Sequence, residues 1–217
     1  MTDCKSQPQR AAVILCGGQS SRMGYPKAWL PFGDETMLAR VVRILRQQVL
    51  QVVLVAAQDQ ELPPLPGSFT LTRDERPTRG PLEGLAAGLR VLSPEISAAY
   101  VTSCDVPLLQ VAFVERMFAE LTEAEIVVPV EEKFHHPLAA VYRPRVLPVI
   151  DELLASDQLR PIFLFDRVVT KRIPVSELRQ VDPELRTLRN LNHPQDYLAA
   201  AAEAGFLVPE EIRQRLL

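Results

Sequence analysis

The sequence predicts an α/β domain with a mainly parallel central sheet and helices on both faces. Three observations carry this. Short apolar runs alternate with amphipathic segments from Ala11 to Ala155, the pattern of repeated βα units. The apolar runs are continuous rather than alternating, as strands covered on both faces require. Glycine-rich or acidic turns follow the strand ends, where open α/β sheets bind ligands.

The elements read in order. Ala11–Cys16 is an apolar run ending at Gly17-Gly18, a buried strand entering a loop. Met37 to Val49 has Leu38, Val41, Val42, Leu45 and Val49 on one face and Arg40, Arg43, Arg46 and Gln47 on the other, an amphipathic helix. Val52–Ala56 is a second strand. Leu82 to Leu92 is a helix opening after Gly80-Pro81, and Ala98–Ser103 a third strand ending at Cys104-Asp105. Phe113 to Leu121 is helical. Glu125–Val130 is a fourth strand, stopped by Glu131-Glu132-Lys133. Pro137 to Tyr142 reads as a further strand and Arg145 to Ala155 as a helix. Residues 160–190 read as short strands and turns beside the main sheet. Pro194 to Ala204 is an alanine-rich closing helix.

With 217 residues the chain suits one domain and can bury a continuous core. The expected division is a disordered tail over 1–10, a domain over 11–205 and a C-terminal extension over 206–217. Hydrophobic residues make up 47% and charged residues 24%, a globular balance. The net charge of −3 argues against a general nucleic-acid binder. No apolar run reaches membrane-span length, and the polar start carries no signal-peptide core, so a cytoplasmic protein is expected. Cys4, Cys16 and Cys104 lack metal-ligand spacing and read as reduced thiols.

The chemistry-bearing residues start at the first loop. Glycines after a strand let the backbone approach an anion, and successive N–H groups form a nest around it. Ser20, Ser21, Arg22 and Lys27 add hydroxyl and cationic donors, which suits a triphosphate. The spacing matches neither the Walker A pattern nor the usual dinucleotide fingerprint. A tight turn with solvated basic residues is the plain alternative. Asp105 follows a buried strand and can hold Mg²⁺, which favours one or two carboxylates plus substrate phosphates. An aspartate there can also cap a helix. Asp74 precedes Gly80, Gly84 and Gly88, whose spacing gives the following helix a narrow, close-packing face; Asp74 can equally be a turn residue. His135-His136 has no partner in a recognised catalytic pattern and reads as structural or substrate-lining. Asn192 can cap the last helix, or Asn190 and Asn192 can offer paired donors and acceptors to a polar ring. Tyr25 and Trp29 read as packing residues.

Together these segments resemble the molybdenum cofactor guanylyltransferases. Leu15-Cys16-Gly17-Gly18-Gln19-Ser20-Ser21-Arg22-Met23-Gly24 with Lys27 is similar to the family's opening signature, which is shared with many sugar-nucleotide and cytidylyl transferases. Gly80-Pro81-Leu82-Glu83-Gly84-Leu85, Cys104-Asp105-Val106-Pro107, His136-Pro137-Leu138 and Asn190-Leu191-Asn192-His193-Pro194 match in order, so the resemblance spans 11 to about 200. It implies a Rossmann-like nucleotidyltransferase (nucleotide-diphospho-sugar transferase) fold. It also implies transfer of GMP from Mg-GTP to the terminal phosphate of the molybdenum–molybdopterin cofactor, with release of pyrophosphate. The resemblance puts Leu15, Cys16, Gly17, Gly18, Lys27, Asp74 and Asp105 on the nucleotide. Arg22, Lys27 and Asp105 would be catalytic, with Mg²⁺ on Asp105, and Pro81, Leu82, Asn190 and Asn192 would face the pterin. The expected protein is a monomer in transient contact with cofactor-synthesis proteins or molybdoenzymes, binding neither nucleic acid nor membrane. Three positions depart from the family pattern. Cys16 stands where Ala is usual, Val55 lacks the Asn some members place near the base or ribose, and His193 replaces a more usual Thr.

Two rivals stand beside this reading. A cytidylyltransferase for the same cofactor would more often carry Ala-Gly in place of Gly17-Gly18; the second glycine admits a larger purine and favours GTP. A non-catalytic nucleotide-binding accessory protein would not need Arg22, Lys27 and Asp105 together.

Overall fold

The computed structural model describes residues 9–17, 22–74 and 79–216. In chain order the elements are β1 (Gln9–Leu15), β2 (Pro31–Phe32), β3 (Glu35–Thr36), α1 (Met37–Leu45), β4 (Gln51–Ala56), β5 (Thr70–Arg73), α2 (Pro81–Arg90), β6 (Ile96–Ser103), α3 (Val111–Ala119), β7 (Ile126–Glu131), β8 (Phe134–His135), β9 (Ala140–Tyr142), α4 (Leu147–Ala155), α5 (Ile162–Phe165), β10 (Thr170–Pro174), α6 (Val175–Leu178), α7 (Pro194–Glu203) and α8 (Glu210–Leu216).

The main sheet runs β10-β7-β9-β6-β1-β4-β5, with β8 pairing on β7. β1 pairs parallel with both β4 and β6, β4 with β5, and β7 with β10. Only the short β9 and β8 run against their neighbours. The chain builds outward from β1 to β4 and β5, then returns to lay β6 on the other side of β1. The order therefore reverses between β1 and β6, and the crevice beyond their carboxyl ends is the switch point where such sheets bind ligands.

Strand alternation sorts the core into two layers. Ala12, Ile14, Val52, Leu54 and Tyr100 face α1 and α3. Ala11, Val13, Leu15, Val53, Val55, Ala99 and Val101 face α2, α4 and α5. A third cluster joins Phe32 and Met37 to Tyr197 and Ala200 of α7 and Ile212 and Leu216 of α8. The Tyr197 hydroxyl donates to the Pro31 carbonyl at 2.5 Å, fastening α7 to the β2–β3 hairpin.

Several boundaries differ from the sequence reading. Gln9 and Arg10, placed by the sequence reading in a tail over 1–10, already pair in β1, and residues 1–8 lie outside the described residues. α1 ends at Leu45 rather than Val49, because the chain must turn to start the β4 pairing with the Leu50 N–H on the Arg10 carbonyl, 2.9 Å away. Pro137–Ala139 forms a 3-10 turn, leaving only Ala140–Tyr142 as strand. The segment 160–190 holds two short helices as well as β10. The residues set apart as a C-terminal extension carry α8 and pack into the third cluster. Among the described residues no helix is long and apolar enough to cross a membrane.

Candidate active site at the switch point

β1 and β6 deliver their last residues side by side. The register places Leu15 beside Ser103, and the ladder continues one step further through the Cys104 N–H to the Leu15 carbonyl at 3.1 Å. Gly17 and Asp105 therefore leave the sheet at the same edge.

Asp105 is buried and held from several directions. The Ser103 hydroxyl donates to its Oδ1 at 2.5 Å, and Asn190 Nδ2 donates to the same oxygen at 3.0 Å and to Ser103 Oγ at 3.2 Å. The Leu191 N–H bonds the Asp105 carbonyl at 2.9 Å. Oδ2 faces the Lys27 ammonium at 2.7 Å, with the two side chains 17% and 10% exposed. Lys27 Nζ also donates to Asn192 Oδ1 at 2.8 Å. A 3-10 turn over Lys27–Trp29 anchors the lysine by burying Ala28 against the core.

This arrangement decides several open readings. Asp105 caps no helix, since α3 starts at Val111 with Gln110 as its N-cap. Asn192 does not cap α7, whose N-cap is His193 with its N–H on Asp196 Oδ2 at 3.0 Å. Both asparagines instead bond the Lys27–Asp105 pair. Ser103, given no role by the sequence reading, is part of the same network.

The second half of the site centres on Asp74, which follows β5 and is tied to β4 by its N–H on the Ala56 carbonyl at 3.0 Å. A methyl on Gly17 would lie 3.2 Å from Asp74 Oδ2, and one on Gly84 would lie 3.2 Å from Oδ1. The carboxylate thus rests between two glycines, where any added methyl would press on it. Among the described residues its Oδ1 is buried without a hydrogen-bond partner. Burial, and then the charge of buried Glu83, push its pKa above the ordinary aspartate range. Glu83 in turn meets Arg79 Nε at 3.7 Å, and Arg79 ties the entry of α2 to the Leu154 carbonyl at 2.6 Å.

The other expected site residues fall as follows. Leu15 and Cys16 are buried, so they present backbone rather than side chains to a ligand. Burial raises the Cys16 thiol, then Cys104 and Asp74 add to it; burial takes Cys104 up to about 12. Neither thiol is an accessible nucleophile. Arg22 is exposed. Gly18, Ser20 and Ser21 lie outside the described residues. Pro81 is exposed at the first turn of α2, after Gly80 with a φ of 78°. Leu82 is fully buried, so only its backbone can meet an acceptor at that helix start. His135 Nε2 accepts from Arg172 Nε at 3.1 Å and its ring leans on Phe165; His136 contacts Phe134. Burial holds both imidazoles below their usual range. Trp29 donates from Nε1 to the Glu61 carbonyl at 3.1 Å and packs on the core.

A cleft of about 510 Å³ lined by Glu125, Arg145 and Val169 lies elsewhere. It sits where β7 and β10 begin, the amino edge of the sheet, opposite the switch point. Its charged lining residues, Glu125, Arg145, Asp166 and Arg167, are all engaged in ion pairs.

The sequence from residue 12 to 171 matches the family described as MobA-like NTP transferase domain. The chain belongs to that family. It is 33% identical over 210 residues to a probable molybdenum cofactor guanylyltransferase of Methanosarcina mazei, covering 90% of this chain and 92% of that one. It is 37% identical over 174 residues to a protein of the same description from Mycobacterium tuberculosis, covering 78% and 85%. The fold is similar to molybdopterin-guanine dinucleotide biosynthesis protein A of Archaeoglobus fulgidus, with a TM-score of 0.74 at 20% identity over 91% and 99% of the two chains. It is also similar to Rv0371C of Mycobacterium tuberculosis in complex with manganese, with a TM-score of 0.55 at 18% identity over 78% and 89%. The Rossmann-like nucleotidyltransferase fold expected from the motifs is the fold of this MobA-like NTP transferase domain.

Proposed function

We propose that this chain transfers GMP from GTP to the terminal phosphate of the molybdenum–molybdopterin cofactor, releasing pyrophosphate. The observation that carries the reading is the Lys27–Asp105 pair fixed by Asn190 and Asn192 at the switch point. Such transfer needs positioning and charge neutralisation more than covalent catalysis. The acceptor phosphate oxygen attacks the α-phosphorus, a new P–O bond forms, and the bond to the β-phosphate oxygen breaks. Pyrophosphate carries away the electron pair. The acceptor is already ionised, so no strong base is needed, in keeping with two histidines held in other contacts.

Each residue has a part in that step. Lys27 neutralises the triphosphate, and Arg22, exposed beyond the first loop, the leaving pyrophosphate. The backbone of Leu15, Cys16 and Gly17 approaches the nucleotide without intervening side chains. Pro81 and the α2 backbone at Leu82 face the pterin half. Asn190 and Asn192 act on the acceptor's side by holding the charged pair. Asp74 offers two acceptor oxygens, one of them buried, and guanine presents two neighbouring N–H donors on its N1–N2 edge, where cytosine presents a single amino group.

The donor set also fits Mg²⁺. Asp105 Oδ2 already faces a cation, the Lys27 ammonium, and its other oxygen is oriented by two donors. No cluster of three or more His, Cys, Asp or Glu side chains occurs among the described residues. One carboxylate completed by substrate phosphates and water is a magnesium pattern rather than a zinc one. Held by Asp105, the ion would screen the phosphate charge and polarise the reacting phosphoryl group.

The test is transfer of labelled GMP onto molybdenum–molybdopterin by purified protein with Mg²⁺, with GTP and CTP compared. GMP transfer well above CMP transfer is expected. CTP-only turnover would overturn the base assignment, and turnover of neither would overturn the reading.

A further inference from the structure

We propose that Gln60 is a positioning residue for nucleotide binding, acting by fixing the orientation of the Cys16–Gly17 peptide. The inference rests on the nucleotide-binding reading above. β1 ends at Leu15, and its ladder to β4 finishes with the Cys16 N–H on the Val55 carbonyl at 2.8 Å. Beyond that bond no backbone hydrogen bond joins β1 to β4 among the described residues. Gln60 closes the gap. Its Nε2 donates to the Cys16 carbonyl at 2.9 Å, and its Oε1 accepts from the Ala57 N–H at 3.0 Å.

The bridge is itself anchored. The Gln60 N–H bonds the Ala57 carbonyl at 3.1 Å, closing a turn. Arg73 donates to the carbonyls of Ala57 and Gln60 at 2.6 and 3.2 Å. Arg73 is the last residue of β5, directly before Asp74. One carboxamide therefore couples the end of β1 to the turn that β5 holds.

Peptide planarity carries this into the site. In a trans peptide the N–H points opposite the preceding carbonyl. With the Cys16 carbonyl drawn to Gln60 on the β4 side, the Gly17 N–H points away from β4, toward the side where β6 delivers Asp105. That is the direction in which an anionic phosphate would sit. A side chain with one donor and one acceptor on a planar group is needed to hold both partners; glutamine has both, whereas leucine has neither and ionised glutamate has acceptors only.

Three measurements test this. GTP affinity and turnover are compared in wild type, Gln60→Leu and Gln60→Glu. Losing one positioned, charge-assisted contact raises KM about tenfold, with a much smaller change in kcat. In Gln60→Glu the carboxylate repels the Cys16 carbonyl near neutrality. Protonation below about pH 4.3 supplies the missing donor, so its KM relative to wild type falls as pH drops; the Gln60→Leu ratio does not. Arg73 is the charged group beside the introduced carboxyl. Equal losses in kcat and KM in both variants, or a Gln60→Glu ratio independent of pH, would overturn the proposal. The amide resonances of Gly17 and Ala57 in nucleotide-free protein give an independent reading. They move in Gln60→Leu if the bridge orients the peptide, and unmoved resonances overturn the proposal even if wild type proves to use another nucleotide. Wild-type protein that binds no nucleotide while those resonances move defeats the nucleotide-binding reading, and with it the proposed role, but not the bridge.

Discussion

Asn190 donates to Oδ1 of Asp105 at 3.0 Å across 85 residues of sequence, and the Ser103 hydroxyl donates to the same oxygen. The two donors leave Oδ2 as the oxygen that faces a cation. Groups that orient a metal-binding carboxylate affect metal affinity or activity by about 10–100-fold. Asn190→Ala should therefore raise the Mg²⁺ concentration for half-maximal transfer and lower kcat within that range. Ser103→Ala should act in the same direction and less strongly, because Asn190 remains. Their double mutant should depart from additivity, since the two donors share one acceptor. Strictly additive losses in Mg²⁺ titrations would show that the donors do not act through Asp105.

Lys27 holds a position that a longer, forked cation does not reproduce. Its Nζ lies 2.7 Å from Asp105 Oδ2 and 2.8 Å from Asn192 Oδ1 at once, as a compact ammonium can. Lys27→Met should leave the Asp105 carboxylate buried without its counter-charge, destabilising the fold by about 3 kcal/mol in the absence of divalent cation. Urea denaturation reads this. Added Mg²⁺ should restore part of the loss by taking the ammonium's place. Lys27→Arg should keep more stability than Lys27→Met yet fail to restore GTP affinity. A Lys27→Met variant as stable as wild type, or indifferent to Mg²⁺, would contradict the pairing.

The strands that build the switch point were readable because burial on both faces leaves an unbroken apolar signature. β1, β4, β6 and β7 all show it, and Asp105 announced itself as the first charge after such a run. β5 did not, because Thr70-Leu71-Thr72-Arg73 is an edge strand with Leu71 exposed and its apolar content is too low for a core strand. The two-residue strands β2 and β3 are too short to carry a period. The motif spacing brought Lys27, Asp74, Asp105, Asn190 and Asn192 to attention but not their pairing. Contacts spanning 165 residues, as between Lys27 and Asn192, depend on how α7 docks. Ser103 left a faint signal, a hydroxyl two residues before a carboxylate. Gln60 left none, lying among the polar residues Gln58, Asp59 and Glu61.

Asp74 should trade stability for binding. Burial and Glu83 raise its folded-state pKa above the unfolded value, so the folded state holds the proton more tightly. Below about pH 3.9 the group is protonated in both states and carries no penalty. As pH rises through that value and then through the raised folded value, the ionised carboxylate increasingly disfavours the fold. Asp74→Asn should therefore melt higher than wild type at pH 7 to 8, with the gap narrowing as pH is lowered. Its GTP affinity should fall, because the acceptor pair for guanine is gone. Thermal scans across pH and nucleotide titration check the two halves separately. A melting difference that widens toward low pH would reverse the assigned sign, and unchanged GTP affinity would remove Asp74 from the base site.

Gly84 and Gly88 share one face of α2 but answer to different constraints. A methyl on Gly88 would lie 2.3 Å from Val13 Cγ1 and 3.2 Å from Val55 Cγ2, inside the packed sheet. Alanine gains about 1 kcal/mol of helix propensity over glycine, but overpacking a core typically costs about 1–3 kcal/mol. The contact at Gly88 is too short for a small adjustment, so Gly88→Ala should be net destabilising. It should also separate α2 from β1 and β4. A methyl on Gly84 meets Asp74 Oδ1 and Leu15 Cδ2, each at 3.2 Å. Those neighbours can yield by a few tenths of an ångström, so the propensity gain offsets most of the strain. The displaced group is then the Asp74 carboxylate. Gly84→Ala should fold with near wild-type stability and bind GTP more weakly, while Gly88→Ala should lose stability first. Denaturation midpoints and GTP affinities measured on both variants decide it. The reverse order, with Gly84→Ala unstable and Gly88→Ala impaired only in binding, would mean that α2 is set against the sheet differently.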